Sequence, residues 1–230
     1  WVLRLPAAIF GLLTVLGLYL MARELFGERV ALFSAFFLAT SFWHIMFSRI
    51  GFRAIMAPFF LVWSFYFLFL GMRKSKQLLF VLAGLIFGLG FHTYIAFRIA
   101  PIIALLPLWK FYKDYKKSLF IFMAFLAAFP LFWYYAFHPQ DFLGRTAAIS
   151  VFDAPNPLGQ FSENIVKTLG MFNFAGDFNW RHNLAGSPQL WWPVGLLFAL
   201  GAWISFKKLK WPHSFILLWF MVMILPVALS

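Results

Sequence analysis

Long apolar runs, each near the roughly 20 residues that cross a bilayer, recur along this chain with short basic clusters between them. That pattern fixes the solvent before it fixes the fold. Inside lipid every backbone N–H and C=O must be satisfied by the segment itself, so an all-round apolar run of this length has to be a helix. Eight such spans are predicted, at 5–21, 30–47, 54–72, 77–92, 94–109, 118–137, 190–206 and 212–229. The predicted fold class is therefore an all-α, polytopic transmembrane helix bundle, with 1–230 as part of a single domain. Only 11% of residues are charged, less than half the share in a soluble domain.

The charges orient the bundle. Loops after the first, third, fifth and seventh spans hold Arg23, Arg29, Arg73, Lys74, Lys76, Lys110, Lys113, Lys116, Lys117, Lys207, Lys208 and Lys210, which is 12 of the 19 basic residues. The remaining seven are Arg4, Arg49, Arg53, Arg98, Arg145, Lys167 and Arg181. Basic residues concentrate in cytoplasmic loops, so the first set is expected inside and the loop 138–189 outside. The net charge of +12 thus reads as topology. No nucleic-acid partner is expected, because the cations form no continuous groove. Spans four and five are short, and a hairpin turning near His92-Thr93 keeps the later lysines inside.

The two sides differ in kind. Nine of ten lysines fall on the predicted inner side and six of nine arginines on the outer. A guanidinium fork pairs with phosphate or carboxylate through two hydrogen bonds, which a lysine cannot do. Two readings follow for the outer arginines: anion binding, or snorkelling to headgroups and helix ends. Arg49 and Arg53 lie four apart, and on one helical turn they would project from one face and hold one phosphate between them. His92, Thr93, Tyr94 and Arg98 fall at the expected hairpin tip, facing the same compartment.

The loop 138–189 carries the densest polar string. Asp177, Arg181, His182 and Asn183 supply an acid, a cation, a titratable ring and an amide. That mix suits a hydroxylated, charged ligand; the alternative is a loop whose polar groups bond one another. Phe161, Ile165, Leu169 and Phe172 recur at helical spacing, predicting a short amphipathic helix over 162–174 with Ser162 at its start. It lies on the outer membrane interface or packs on protein. Asp153-Ala154-Pro155-Asn156-Pro157 before it is turn chemistry. There is no cysteine, hence no thiol chemistry. The scattered histidines lack metal-ligand spacing; no cofactor is expected, and a divalent cation has no ligand motif to support it.

Several segments resemble the membrane glycosyltransferases of the C superfamily, in particular the bacterial branch related to protein O-mannosyltransferases and the lipid A aminoarabinose transferase (glycosyltransferase families 39 and 83). They are Arg4-Leu5-Pro6-Ala7-Ala8 with Gly11, Ala22-Arg23-Glu24-Leu25-Phe26-Gly27, Ser41-Phe42-Trp43-His44-Ile45 with Ser48-Arg49, His92-Thr93-Tyr94 with Arg98 and Pro101, and Gly176 to Asn183 running into Pro188. The resemblance implies a sugar donor on a polyprenyl phosphate and a lipid, glycan or protein acceptor. It implies an active face toward the periplasm or exterior of a bacterial inner membrane, among membrane lipids. It also implies that Arg49, Arg53 and Arg98 contact the donor phosphate, and that His92, Tyr94, Asp177, Arg181, His182 and Asn183 contact sugar or acceptor. The family's catalytic carboxylate lies in its first outer loop, and since this sequence resembles the family from its second helix onward, that residue is expected upstream of Trp1. A rival class, a transporter or flippase for an anionic lipid-linked glycan, would use the same outer arginines without breaking a bond.

Overall fold

The computed structural model describes residues 2, 4–110, 116–147, 151–153, 155–181 and 183–229. Lys113, Ala154 and His182, all named above, lie outside them. The described residues are helical, without strands, and form two compact units, Trp1–Phe132 and Trp133–Ser230.

The first unit runs α1 (Leu5–Phe26), α2 (Glu28–Thr40), α3 (Phe42–Arg49), a 3-10 turn at Arg53–Ile55, α4 (Met56–Lys74), α5 (Gln77–Gly90), a second 3-10 turn at Ile95–Ile99 and α6 (Ala100–Lys110). Then α7 (Lys117–Phe137) carries the chain into the second unit. Leu5–Phe26, Arg53–Lys74 and Lys117–Phe137 are long and apolar enough to cross a membrane, and α2 with α3 makes a fourth crossing if the bent pair counts as one span. Helix length alone thus certifies three or four of the expected crossings; α5 is apolar but shorter.

Small residues set the packing. In lipid the space between helices gains nothing from expelling water, so close van der Waals approach and interhelical hydrogen bonds hold a bundle together. Gly17 lets α4 close on α1, where an added Cβ would stand 2.7 Å from Val62 Cγ2. Trp63 Nε1 there donates to the Leu13 carbonyl at 3.0 Å. Ser64 Oγ donates across to Ala83 O at 3.0 Å and joins α4 to α5. Gly84 and Gly88, one helical turn apart, bring α5 against the backbone of α7 at the Phe120 and Ala124 carbonyls. Phe65, Phe80, Phe97 and Phe120 fill the buried space that remains.

Two differences from the predicted spans have local causes. The span at 30–47 breaks at Ser41, whose backbone is extended (φ −65°, ψ 123°), and α2 and α3 meet at 57°. Thr40 Oγ1 donates to Phe36 O at 2.9 Å. A hydroxyl bonded back to the helix carbonyl bends the helix, and a Thr-Ser pair places that competition at one point. The second difference is the short helix expected from Ser162. The chain there forms α9, Pro157–Gly170, starting five residues earlier. Asn156 Oδ1 accepts the Gly159 N–H at 3.1 Å and Pro157 occupies the first turn. Asn followed by Pro is a stronger helix start than a serine already inside an apolar repeat.

The second unit adds α8 (Pro139–Ala147), a 3-10 turn at Val151–Asp153, α9, α10 (Trp192–Lys208) and α11 (His213–Ala228). The stretch expected to be one outer loop with a single short helix therefore holds two helices. Phe172, just beyond α9, stacks on Phe198 of α10 at 5.2 Å and meets Phe220 of α11 at 5.8 Å.

Gly88→Val places a branched side chain where a Cβ alone would lie 2.7 Å from the Ala127 Cβ and closer still to the Ala124 carbonyl. Overpacking of this kind costs about 1–3 kcal/mol or more. The detergent-solubilised protein should lose several degrees of melting temperature. Gly201→Ala, where nothing stands within 4 Å, should leave it nearly unchanged. Equal melting temperatures for both variants would mean that α5 and α7 do not approach this closely.

Candidate functional site

The first unit sorts its charges by end. Arg73 of α4 pairs with Glu24 at the end of α1, and Lys116 Nζ donates to the Ser75 carbonyl at 2.8 Å. Arg23, Arg73, Lys74, Lys76 and Lys116 therefore share one end. α4 has 19 residues, so its start lies about 28 Å away at the usual rise. There the chain leaves α3 at Arg49, turns and enters the 3-10 segment at Arg53. Phe52 between them packs its ring on Phe47 at 5.7 Å and on Tyr94 at 6.2 Å. Those contacts bring the Arg49–Arg53 turn beside the turn that follows α5, with Tyr94 and, in the next segment, Arg98.

Arg49 and Arg53 are exposed and Arg98 is half-buried. The expectation that the first two project from one helical face is overturned. Helix α3 ends at Arg49, and Gly51 follows with φ 71°. A glycine in the left-handed region stops the helix and re-aims the chain, so the two side chains leave from different segments of a turn. His92 is exposed, and its Nε2 lies 2.9 Å from the Ala127 carbonyl, donating to a backbone group of α7. Thr93 Oγ1 closes the same turn on Gly90 O at 2.6 Å.

One constellation in this unit was not foreseen. His44 Nε2 donates to the Gly11 carbonyl at 3.0 Å, and Ser48 sits where a Cβ at Gly11 would be. The bridge fastens α3 to α1 and so fixes where Arg49 ends up. The signal was His44 and Ser48 four residues apart in an otherwise apolar helix. Their partner, a glycine carbonyl, leaves no mark in a sequence.

In the second unit the polar string from Gly176 to Ser187 is a bonded loop. Asp177 Oδ1 accepts the Asn179 N–H at 2.8 Å, and Asn179 Oδ1 accepts the Arg181 N–H at 3.1 Å. Gly176 N donates to Gly186 O at 3.2 Å, and Gly186 N to Asp177 O at 3.1 Å. Gly186 adopts φ 76°. Asn183 is the organiser, only 3% exposed. Its Nδ2 donates to Asp177 O at 3.0 Å and to Ser187 O at 2.7 Å. Its Oδ1 has no partner among the described residues. Gly176 completes the arrangement, since a Cβ there would strike the Ser187 carbonyl and crowd the Asn183 amide. Of the predicted binding residues here, Arg181 is exposed, Asp177 is half-buried and Asn183 is structural; His182 lies outside the described residues. Among the described residues no three of His, Asp and Glu come together as metal ligands.

With the geometry in view, the chain can be set beside known proteins. The family described as dolichyl-phosphate-mannose-protein mannosyltransferase matches residues 1–135, more than half of the chain. This chain belongs to that family. The match takes in Arg49, Arg53, His92, Tyr94 and Arg98 and stops before Asp177. A Bacillus subtilis (strain 168) protein, "Putative mannosyltransferase YkcB", is 31% identical over 138 residues, 58% of this chain. The chain spans 19% of that relative's length. No solved structure is significantly similar to it. Apolar helices of membrane length and the family together make this an integral membrane protein.

Asn183→Ala removes both donors that Nδ2 supplies to the loop. Two hydrogen bonds of this kind contribute roughly 1–3 kcal/mol together. Amide hydrogens of Gly186 and Ser187 should exchange at least tenfold faster, while those of α10 keep their rates. Unchanged exchange at both amides would remove Asn183 from its organising role.

Proposed function

We propose that this chain is part of a membrane glycosyltransferase that moves a sugar from a polyprenyl-phosphate donor to a lipid, glycan or protein acceptor at the outer face of a bacterial inner membrane. The observation that carries the reading is the arginine-bearing end of the first unit. Arg49 and Arg53 stand on one turn, Phe52 between them touches Tyr94, and Arg98 follows in the next segment. The lysine-rich cluster occupies the other end. Guanidinium groups near one membrane surface suit a phosphate that arrives on a lipid. Membership in a family described by dolichyl-phosphate-mannose supports the same chemistry.

The reaction is a displacement at the anomeric carbon. A carboxylate takes the proton of the acceptor hydroxyl, the freed oxygen bonds to that carbon, and the bond from carbon to the phosphate oxygen breaks. The polyprenyl phosphate leaves with the electron pair. Its growing negative charge is what Arg49, Arg53 and Arg98 stabilise, and preplaced cations lower the barrier because they need not reorganise. The base itself is assigned to no residue of this chain. Asp177 and Arg181, on the bonded loop of the second unit, are candidates for contact with a sugar or acceptor hydroxyl.

Two experiments test this. In the full-length protein, Arg49→Lys and Arg98→Lys keep the charge and lose the fork. A charge-assisted contact is worth about 1.5–3 kcal/mol, so transfer rates should fall roughly tenfold or more, whereas Lys208→Arg should match the parent. Parent-like rates in both arginine variants would return these side chains to headgroup contacts. Sidedness is tested separately. Single cysteines at Lys76, Lys116 and Lys208 should resist a membrane-impermeant thiol reagent in intact cells, and those at Asn156 and Gln160 should react. The opposite pattern rules out an outer-face site.

A further inference from the structure

Helix α9 is turned the wrong way round for a helix in water. Its packed side carries the polar residues, with Phe161 and Ile165 half-buried along one edge. Thr168 is buried, Asn164 Nδ2 reaches the Ala228 carbonyl of α11 at 3.4 Å, and Gln160 Nε2 donates to Asn164 Oδ1 at 3.0 Å. Its apolar side is left outside: Leu158 is 80% exposed, Val166 70% and Leu169 52%. A third strip carries Glu163 and Lys167, paired at 2.6 Å, so the helix presents no net charge. A surface helix normally buries its apolar stripe and exposes the polar one.

The middle of α9 and its C-terminal end are both tied to ends of apolar helices. Next to Asn164, Val151 N from the adjoining 3-10 turn donates to Leu229 O at 3.1 Å, just past the end of α11. At the C-terminal end, Gln189 N donates to Met171 O at 2.9 Å and Leu190 N to Phe172 O at 2.7 Å, just before α10 begins. The helix therefore sits at the level where α11 ends and α10 starts. Trp191 and Trp192 are exposed at that same level, and tryptophan concentrates where membrane meets water. Beyond them the outward residues of α10, Leu196, Leu197 and Leu200, are apolar and exposed.

We propose that α9 lies in the headgroup–acyl boundary of the bilayer, with Leu158, Val166 and Leu169 immersed in lipid and the Glu163–Lys167 pair in water. A lipid surface is the occupant that accepts an uncharged apolar strip continuous with exposed tryptophans and an apolar helix flank. Attraction is by apolar burial, since the strip offers no cation to anionic lipids. Because Met171–Gln189 and Phe172–Leu190 close the neck of the 177–187 loop directly after α9, the helix sets the depth at which Asp177 and Arg181 are held. The functional value of that depth rests on the glycosyltransferase reading; the depth itself does not.

These 230 residues hold no cysteine, and spin labels can be placed one at a time on single cysteines in a full-length background from which any other cysteine has been removed. In vesicles of zwitterionic lipid, labels at Leu158, Val166 and Leu169 should be relaxed by oxygen and shielded from a water-soluble nickel complex. They should report depths of about 5–10 Å. Labels at Glu163 and Lys167 should show the reverse preference. Adding anionic lipid should not change the pattern. Nickel accessibility at Leu158, Val166 and Leu169 equal to that at Glu163 would overturn the proposal in favour of water. Shielding from both reagents would overturn it in favour of a protein neighbour. The measurement needs no substrate, so absence of sugar transfer by the full-length protein with the depth pattern intact would sink the transferase reading alone.

Discussion

Everything in the first unit depends on how closely two helix backbones can approach when no water is driven out between them. Lipid tails are as apolar as leucine, so a bundle in a membrane is held by contact and by hydrogen bonds that cross from helix to helix. Gly84 and Gly88 bring α5 onto the Phe120 and Ala124 carbonyls of α7. Gly17 does the same between α1 and α4. Where approach is close, single polar side chains reach across: Trp63 to Leu13, Ser64 to Ala83, His92 to Ala127, His44 to Gly11. Each acceptor is a main-chain carbonyl already within a helix. Such bonds give each of these donors an acceptor without a second polar side chain, so a bundle so poor in polar residues can still be specific.

The same constraint explains why the arginine-bearing end is built from breaks. A regular helix in lipid has no free backbone, and a site for a charged group has to form where helices stop. Gly51, the extended Phe52 and the turn 91–94 are all such stops. Phe52 and Tyr94 pack them together, and the arginines ride on the result. In the second unit the loop from Gly176 to Ser187 solves a related problem differently. It bonds to itself through Asn183 and two asparagine-type turns, so Arg181 projects from a closed frame.

Much of this was legible in the residues. Apolar run length gave the all-α class, and the family-like segments gave the family that residues 1–135 match. What escaped was geometry between segments. The spacing of Arg49 and Arg53 looked helical because four residues separate them, and only the backbone angle of Gly51 shows otherwise. Asn183 read as a ligand-binding amide because its composition allows it; its two carbonyl partners are set by the closure of the loop. Ser162 lost the helix start to Asn156 because an apolar repeat marks the face of a helix more sharply than its first residue.

The His44–Gly11 bridge has an evolutionary corollary. Ser48 occupies the space that any side chain at position 11 would need, and its Oγ bonds back to the His44 carbonyl at 2.6 Å. Positions 11 and 48 are thus a single volume divided between two helices that lie far apart in the chain. Drift at one is permitted only with a compensating loss at the other: alanine at 11 calls for glycine at 48. Among relatives the two columns should vary as a pair, with the histidine between them tolerating neither change alone. A substitution deep in α1 would then be felt first as a displacement of Arg49, thirty-eight positions away in the sequence.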